Sequence, residues 1–470
     1  MWLTCLLILL GILGFTWWTV GPHRALAVSV LLSLVVPSWL TQEMYGFPVS
    51  IPLIIGMSAL GAYCIHPRAI FRARLVLVDW AILCLSVTHI CVDWGHQGFS
   101  FSVPLRAYGE WYVPYVCGRL ALRNADDVRA LLPLMVGVII WLAVISAVQG
   151  LTGVDLAETV FGVGQVDTNA RMFSRWGIHR AFGHLRNPIY FGVLQLLLFP
   201  WSVYAAARAW NHRGPSWWLV LPLLTAVGVF FPMSRACQGG LVLSALLAWL
   251  LTRTRWQVTI PVLGVIVAAF ALLQSELTIN LLDAWGGGAR QRTIEIGGKQ
   301  VSTSVTLNRI HIVKLYGPAM RKSGLFGFGT EAVTGFPINI PMGQQDLQTL
   351  KAIWTVDNSF LLMGLRFGYL GLACLLVWCV GIAVTWWQIT VGESITPGFK
   401  AFTGTMTAVS LAMLLVLLTV FMPEDFGFWY IWTAGTCAGL KEGLSQPHAS
   451  HHSTHSSRRH SSRATVMRTA

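Results

Sequence analysis

Long apolar stretches recur along this chain, and they restrict its fold more than any other feature. They lie near 2–20, 25–40, 49–65, 76–92, 108–122, 128–150, 187–207, 216–233, 236–252, 257–275, 357–387, 401–421 and 424–440. About 20 apolar residues cross the hydrocarbon of a bilayer as a helix. The runs therefore predict an all-α polytopic membrane protein with about 12–13 transmembrane helices. They are continuous rather than alternating, which excludes an outer-membrane barrel. Of the 470 residues 55% are hydrophobic and 11% charged. A soluble domain carries about 25% charged residues, so an ordinary soluble enzyme and a disordered chain are both excluded.

Orientation follows from Lys and Arg in the short connections. One alternating set holds Arg24; Arg68, Arg72 and Arg74; Arg119, Arg123 and Arg129; Arg208 and Arg213; Arg253 and Arg255. The other set, 41–48, 93–107 and 422–426, contains only Arg106. The first set is expected on the cytoplasmic side, so the two long loops, 151–186 and 276–356, face outward. The expected organisation is N-terminal transmembrane helices over 1–150, the first outer loop, central helices over 187–275, the second outer loop, C-terminal helices over 357–440 and a disordered cytoplasmic tail over 441–470. The first 20 residues lack a basic n-region and a small-residue cleavage site, and read as a retained span. The tail is rich in Ser, His and Arg, and is read as a solvated segment near acidic lipid.

The net charge of +13 resides mostly in loops and tail. On a chain of this kind it points to orientation and to membrane lipid head groups, not to nucleic acid. The nine cysteines fall in or beside apolar runs with no disulfide framework or zinc spacing. They are read as small buried apolar residues. Many of the 22 Trp residues sit near run ends, among them Trp17, Trp18, Trp39, Trp94, Trp201, Trp217, Trp256 and Trp387, and are expected to form an interfacial belt. Neither a Walker motif nor a dinucleotide fingerprint is present, which argues against a nucleotide-driven pump.

The outer loops carry the residues with chemistry. The first contains Arg171, Arg175, His179, Arg180, His184 and Arg186. The second contains Arg290, Arg292, Lys299, Arg309, Lys314, Arg321 and Lys322, and closes at Asp357, Asn358 and Ser359. Ser234-Arg235 stands in a short turn between two apolar runs. If these converge they make a cationic pocket at head-group depth, suited to a lipid-linked phosphate or pyrophosphate. The plainer reading of Arg235 is a side chain snorkelling to the interface, and that of Asp357 is capping of the following helix. Arg366 falls inside the run 357–387 and needs an acidic or carbonyl partner, for which Glu110 is the candidate.

Four segments resemble the O-antigen ligase and polymerase superfamily of bacterial surface-polysaccharide enzymes. The first runs from Leu105-Arg106-Ala107 to Gly118-Arg119. The second is His179-Arg180-Ala181-Phe182-Gly183 with Asn187-Pro188-Ile189-Tyr190-Phe191-Gly192. The third is Met233-Ser234-Arg235-Ala236. The fourth begins at Arg309, runs through Gly324-Leu325-Phe326-Gly327-Phe328-Gly329, and ends at Asp357-Asn358-Ser359-Phe360-Leu361 and Phe367-Gly368-Tyr369-Leu370-Gly371.

This resemblance covers roughly 100–440 and implies a large periplasmic loop domain, taken here to be 276–356. It also implies a multi-pass protein of the bacterial inner membrane whose active face is periplasmic. The implied activity is glycosyl transfer without metal or cofactor, from a glycan on undecaprenyl pyrophosphate. Arg180 and Arg235 would act on the pyrophosphate leaving group and Asp357 on the acceptor hydroxyl. Arg309, His179, His184 and Asn358 would help bind substrate, and a polysaccharide chain-length regulator is a further expected partner. Ligases of the superfamily typically carry His where this chain has Asp357, and Asp is more familiar in polymerase-like members, which favours polymerisation. A protein O-oligosaccharyltransferase and a non-enzymatic transporter of lipid-linked sugars are the alternatives.

Overall fold

A computed structural model describes residues 2–20, 25–28, 31, 34–37, 40–44, 47–64, 75–161, 174–175, 177–185, 187–253, 292–296, 299–303, 305–332, 356–392, 395–422 and 424–445. In chain order they form α1 (Trp2–Val20), β1 (Thr41–Met44), β2 (Phe47–Ser50), α2 (Ile51–Cys64), α3 (Leu77–Gln97) and α4 (Ser102–Ala107). A π-helical turn at Tyr108–Tyr112 joins α4 to α5 (Val113–Ala121), followed by α6 (Ala125–Thr152) and α7 (Leu156–Phe161). Then come β3 (Ser174–Arg175), β4 (Ile178–His179), α8 (Pro188–Trp210), a 3-10 turn at Ser216–Val220, α9 (Leu221–Phe230) and α10 (Arg235–Arg253). The order ends with β5 (Arg292–Ile296), β6 (Lys299–Thr303), α11 (Val305–Ser323), α12 (Gly329–Ala332), α13 (Ser359–Thr390), α14 (Pro397–Leu417) and α15 (Glu424–Ser445). Each strand pair is a short antiparallel hairpin.

Among the described residues six helices are long and apolar enough to cross a membrane: Leu77–Gln97, Ala125–Thr152, Pro188–Trp210, Arg235–Thr252, Ser359–Thr390 and Pro397–Leu417. Their outward faces carry exposed Val87, Trp141, Val144, Val242, Trp249 and Val380, side chains that suit lipid and not water. The chain is a mostly helical, multi-pass membrane protein. The run 49–65 yields only the 14 residues of α2, 108–122 is interrupted by the π turn, and 257–275 lies outside the described residues.

Helix starts follow the polar residues that precede the apolar runs. Asn124 Oδ1 accepts the N–H of Asp127 at 2.8 Å, and Asp127 accepts back from Asn124 N at 3.3 Å, a reciprocal cap on α6. Asn187 caps α8 through Ile189 N at 2.9 Å, and Asn358 caps α13 through Leu361 N at 2.9 Å.

The run 357–387 is one long helix with a break inside it. Gly368 adopts φ 67 and ψ −164 and breaks α13. At the break, Gly324 and Leu325 lend their carbonyls to Tyr369 N and Leu370 N at 3.0 and 3.1 Å. Phe328 N returns a bond to Leu365 O at 2.9 Å. A Cβ on Gly368 would run into the backbone of Leu325 and Phe326, so this chain crossing requires glycine. Arg366 therefore stands just before this break and not within an unbroken helix. The region 276–356, expected as a long loop, carries the β5–β6 hairpin and the 19-residue α11. The buried face of α11, Ile312, Tyr316 and Ala319, packs on Leu361, Leu362 and Leu365 of α13.

Trp201, expected in the interfacial belt, is 1% exposed, and its ring packs edge-on against Phe402 at 4.9 Å in the core. Trp18, 90% exposed, and Trp217, 50% exposed, do face outward.

Antiparallel alternation gathers the C-termini of α3, α6, α9 and α14 at one end with the N-termini of α4, α8, α10, α13 and α15. The other end is fastened by a buried ion network. Arg119 Nη1 pairs with Asp79 at 2.8 Å, Tyr115 donates to Asp79 at 2.8 Å, and Arg119 Nη2 reaches Glu442 at 3.2 Å. Beside it α15 packs backbone to backbone on α5: a Cβ on Gly435, Gly439 or Gly443 would collide with main-chain atoms of residues 115–123.

Candidate functional site

At the first of these ends the segment 180–185 is pinned from two sides. Gln149, 2% exposed near the end of α6, accepts Phe182 N–H at 3.0 Å and Gly183 N–H at 2.8 Å on its single Oε1. Ala181 N donates to Phe231 O at 3.0 Å. Gly183, at φ 57, presses against the ring of Phe191, where a Cβ would collide. Held this way, Arg180 donates from Nε to the carbonyl of Pro232 at 3.3 Å.

Pro232 opens the turn that delivers Arg235. Met233 takes a left-handed conformation, φ 54, unusual for a side chain of its size. Its N–H returns to Phe230 O at 2.9 Å. Ser234, 4% exposed, accepts Gln238 N–H at 2.9 Å on its carbonyl, and Arg235 is the first residue of α10. Arg180 thus lies against the turn from which Arg235 starts, and both are half-buried.

A chain of contacts links this pair to Asp357. Cys237 of α10 donates to Ile189 O at 3.4 Å. Tyr190, the next residue, meets Phe421 edge-on at 5.5 Å. Beside Phe421, Val420 O accepts from the Ser359 hydroxyl at 2.7 Å. The N-termini of α8, α10 and α13 therefore share one end of the molecule, each adding partial positive charge to that of the two arginines. Asp357 is half-buried beside this end, and the capping expected of it falls to its neighbour Asn358, 8% exposed.

The remaining expected site residues are distributed less evenly. His179 is exposed on β4, paired across the hairpin with Ser174, and its ring lies over Gly153. His184 is not a cation: it is 2% exposed, sits edge-on to Phe191 at 5.9 Å, and burial pushes its imidazole pKa down to about 4. It shapes the site as a neutral ring and adds no charge. Arg309 stands on α11, and its side chain lies outside the described residues, as do Arg171 and Arg186. Among the described residues no group of three or more His, Cys, Asp or Glu side chains could hold a metal ion.

Sequence reasoning missed Gln149, whose signal is a single polar side chain closing a long apolar run. It also missed a second buried polar group inside the membrane region. Trp111 donates to His89 Nδ1 at 3.0 Å. An indole N–H only donates, so Nδ1 accepts and the neutral ring carries its proton on Nε2, 3.2 Å from Asp93 Oδ2. Glu110, offered by the sequence as the counter-charge of Arg366, has its carboxylate 3.7 Å from His89 Nδ1. Asp93 also accepts Thr330 N–H at 2.8 Å, and Phe367, at the α13 break, lies over His89 at 4.8 Å. The group touches the π-helical turn, a feature that recurs at functional sites.

Compared with protein-family models and with curated proteins, the chain matches none.

Proposed function

We propose that this chain is a metal-independent glycosyltransferase acting at the periplasmic face of the bacterial inner membrane. It polymerises, or ligates, oligosaccharide units carried on undecaprenyl pyrophosphate, in O-antigen or exopolysaccharide assembly. One observation carries the reading: Arg180 Nε lies 3.3 Å from Pro232 O, and Pro232 stands in the turn that leads into Arg235. Two guanidinium groups from separate connections, beside three helix N-termini, suit a diphosphate.

In the reaction so proposed, the bond between the anomeric carbon and the phosphate oxygen breaks, and the lipid pyrophosphate leaves with the electron pair. Arg180 and Arg235 stabilise the charge that develops on it, in place of a metal. The acceptor hydroxyl oxygen bonds to the anomeric carbon, and its proton passes to the carboxylate of Asp357.

The test is the polysaccharide ladder of cells whose only copy of the protein is a variant. Arg180→Ala and Arg235→Ala are expected to abolish long chains while membrane levels of protein stay normal. Complete ladders in both variants reject the proposal.

A second reading, a proton-coupled transporter of lipid-linked sugar, draws on the buried His89–Asp93 pair with half-buried Glu110 beside it and on the broken α13. Substrate moved across sealed vesicles without glycosyl transfer, and lost in Asp93→Asn, favours it over the first.

A further inference from the structure

A basic cavity lies at the opposite end of the molecule, about 34 Å away along the 23 residues of α8 at 1.5 Å each. Its volume is about 80 Å³, and it is lined by Arg129 of α6, by Tyr204, Arg208 and Arg213 at the end of α8, and by the first residues of α14. The turn that builds it is defined. His212 takes φ 53, and Arg213 N folds back to Arg208 O at 2.8 Å. Arg208 Nη2 then donates to Arg213 O at 2.9 Å. This left-handed cap brings two arginines together at one helix end.

Among the described residues, three arginines line this cavity and no carboxylate does. Arg208 Nε is buried and, among the described residues, has no hydrogen-bond partner. Arg129 pairs with Asp126 at 3.1 Å on the surface, an interaction that contributes little. Trp210, which ends α8, is 76% exposed, and Trp217 in the following turn is 50% exposed, as indole rings are at head-group depth. The space is large enough for a small group such as one phosphate.

We infer that the Arg129–Arg208–Arg213 cavity binds a phosphate group, supplied by the head group of an anionic phospholipid in the leaflet at that end. Guanidinium forks match phosphate oxygens, and a net-anionic diester is preferred over a zwitterionic one because no cation beside it repels the arginines. The inference rests on the chain crossing a membrane and is independent of the proposed glycosyl transfer.

The experiment is native mass spectrometry of the full chain in detergent, titrated with dioleoyl phosphatidylglycerol or dioleoyl phosphatidylcholine. The wild type is expected to retain phosphatidylglycerol preferentially. The Arg129→Gln/Arg213→Gln variant is expected to retain it roughly tenfold less, the scale of one lost charge-assisted hydrogen bond. Both changed side chains are exposed, and gel filtration checks that the variant stays folded. Arg129→Lys/Arg213→Lys, which keeps the charge without the fork, is expected to fall between the two. Displacement of phosphatidylglycerol by a modest excess of inorganic phosphate would assign the site to a soluble phosphate and overturn the lipid source. Equal retention of both lipids by wild type and variant would overturn the site itself.

Discussion

Gln149 accepts two backbone N–H groups through one side-chain oxygen, and Arg180 stands where it does because of them. Gln149→Leu leaves both donors buried without an acceptor, a loss of about 1–3 kcal/mol each. Gln149→Glu keeps both acceptances. The Leu variant is expected to lose long-chain polysaccharide as completely as Arg180→Ala, and the Glu variant to retain part of it, read as ladders at matched protein level. His184 sets a pH dependence of a different kind. With its folded pKa near 4 and an unfolded value of about 6.5, the folded ring binds fewer protons than the unfolded chain between those limits. Stability therefore falls as pH drops through that window, by about 2 kcal/mol at about pH 5. His184→Gln is expected to flatten the decline of melting temperature between neutral pH and pH 5, and an unchanged decline would contradict the assignment. The charges of Arg180, Arg235 and Asp357 were legible in the sequence. The neutrality of His184 was not, because burial against Phe191 is a tertiary fact.

Two helices show how far apolar pattern alone reaches. The run 357–387 is uniformly hydrophobic, so its length marked a span but could not mark the break, which depends on residues 324–328 arriving from elsewhere in the chain. Gly368→Ala places a methyl group against Leu325 and Phe326 at a positive φ. It is expected to release that crossing, seen as faster proteolysis within 324–328 and a lower melting temperature. Resistance equal to wild type would mean the break tolerates a side chain. On α15, Gly435, Gly439 and Gly443 recur every four residues and set its approach to α5. Gly439→Leu forces the two backbones apart and strains the adjoining pair of Arg119 with Glu442. Loss of folded protein from the membrane is the expected outcome, with normal accumulation contradicting the close packing. That spacing was present in the sequence, but it carries no direction until the partner helix is known.

For the molecule as a whole, the two ends differ in kind. Arg119, Arg123, Arg129, Arg208 and Arg213 crowd one end, and Arg180 and Arg235 stand at the other with three helix N-termini. The alternating charge count anticipated this division, because it depends only on loop order. It could not anticipate which loops touch. Reporter fusions ending after Phe161 and after Arg213 are expected to be active on opposite sides of the membrane, the second in the cytoplasm. Activity of both on one side would contradict the topology. Whether Arg180 and Arg235 form one diphosphate site, as proposed, is read from binding of undecaprenyl pyrophosphate to the purified chain. Arg180→Ala and Arg235→Ala are each predicted to weaken that binding by roughly tenfold or more, the scale of a lost charge-assisted hydrogen bond. The double variant is predicted to weaken it by less than the product of the two, as neighbours on one ligand do. Undiminished binding in both single variants, or strictly independent losses, would contradict the proposal.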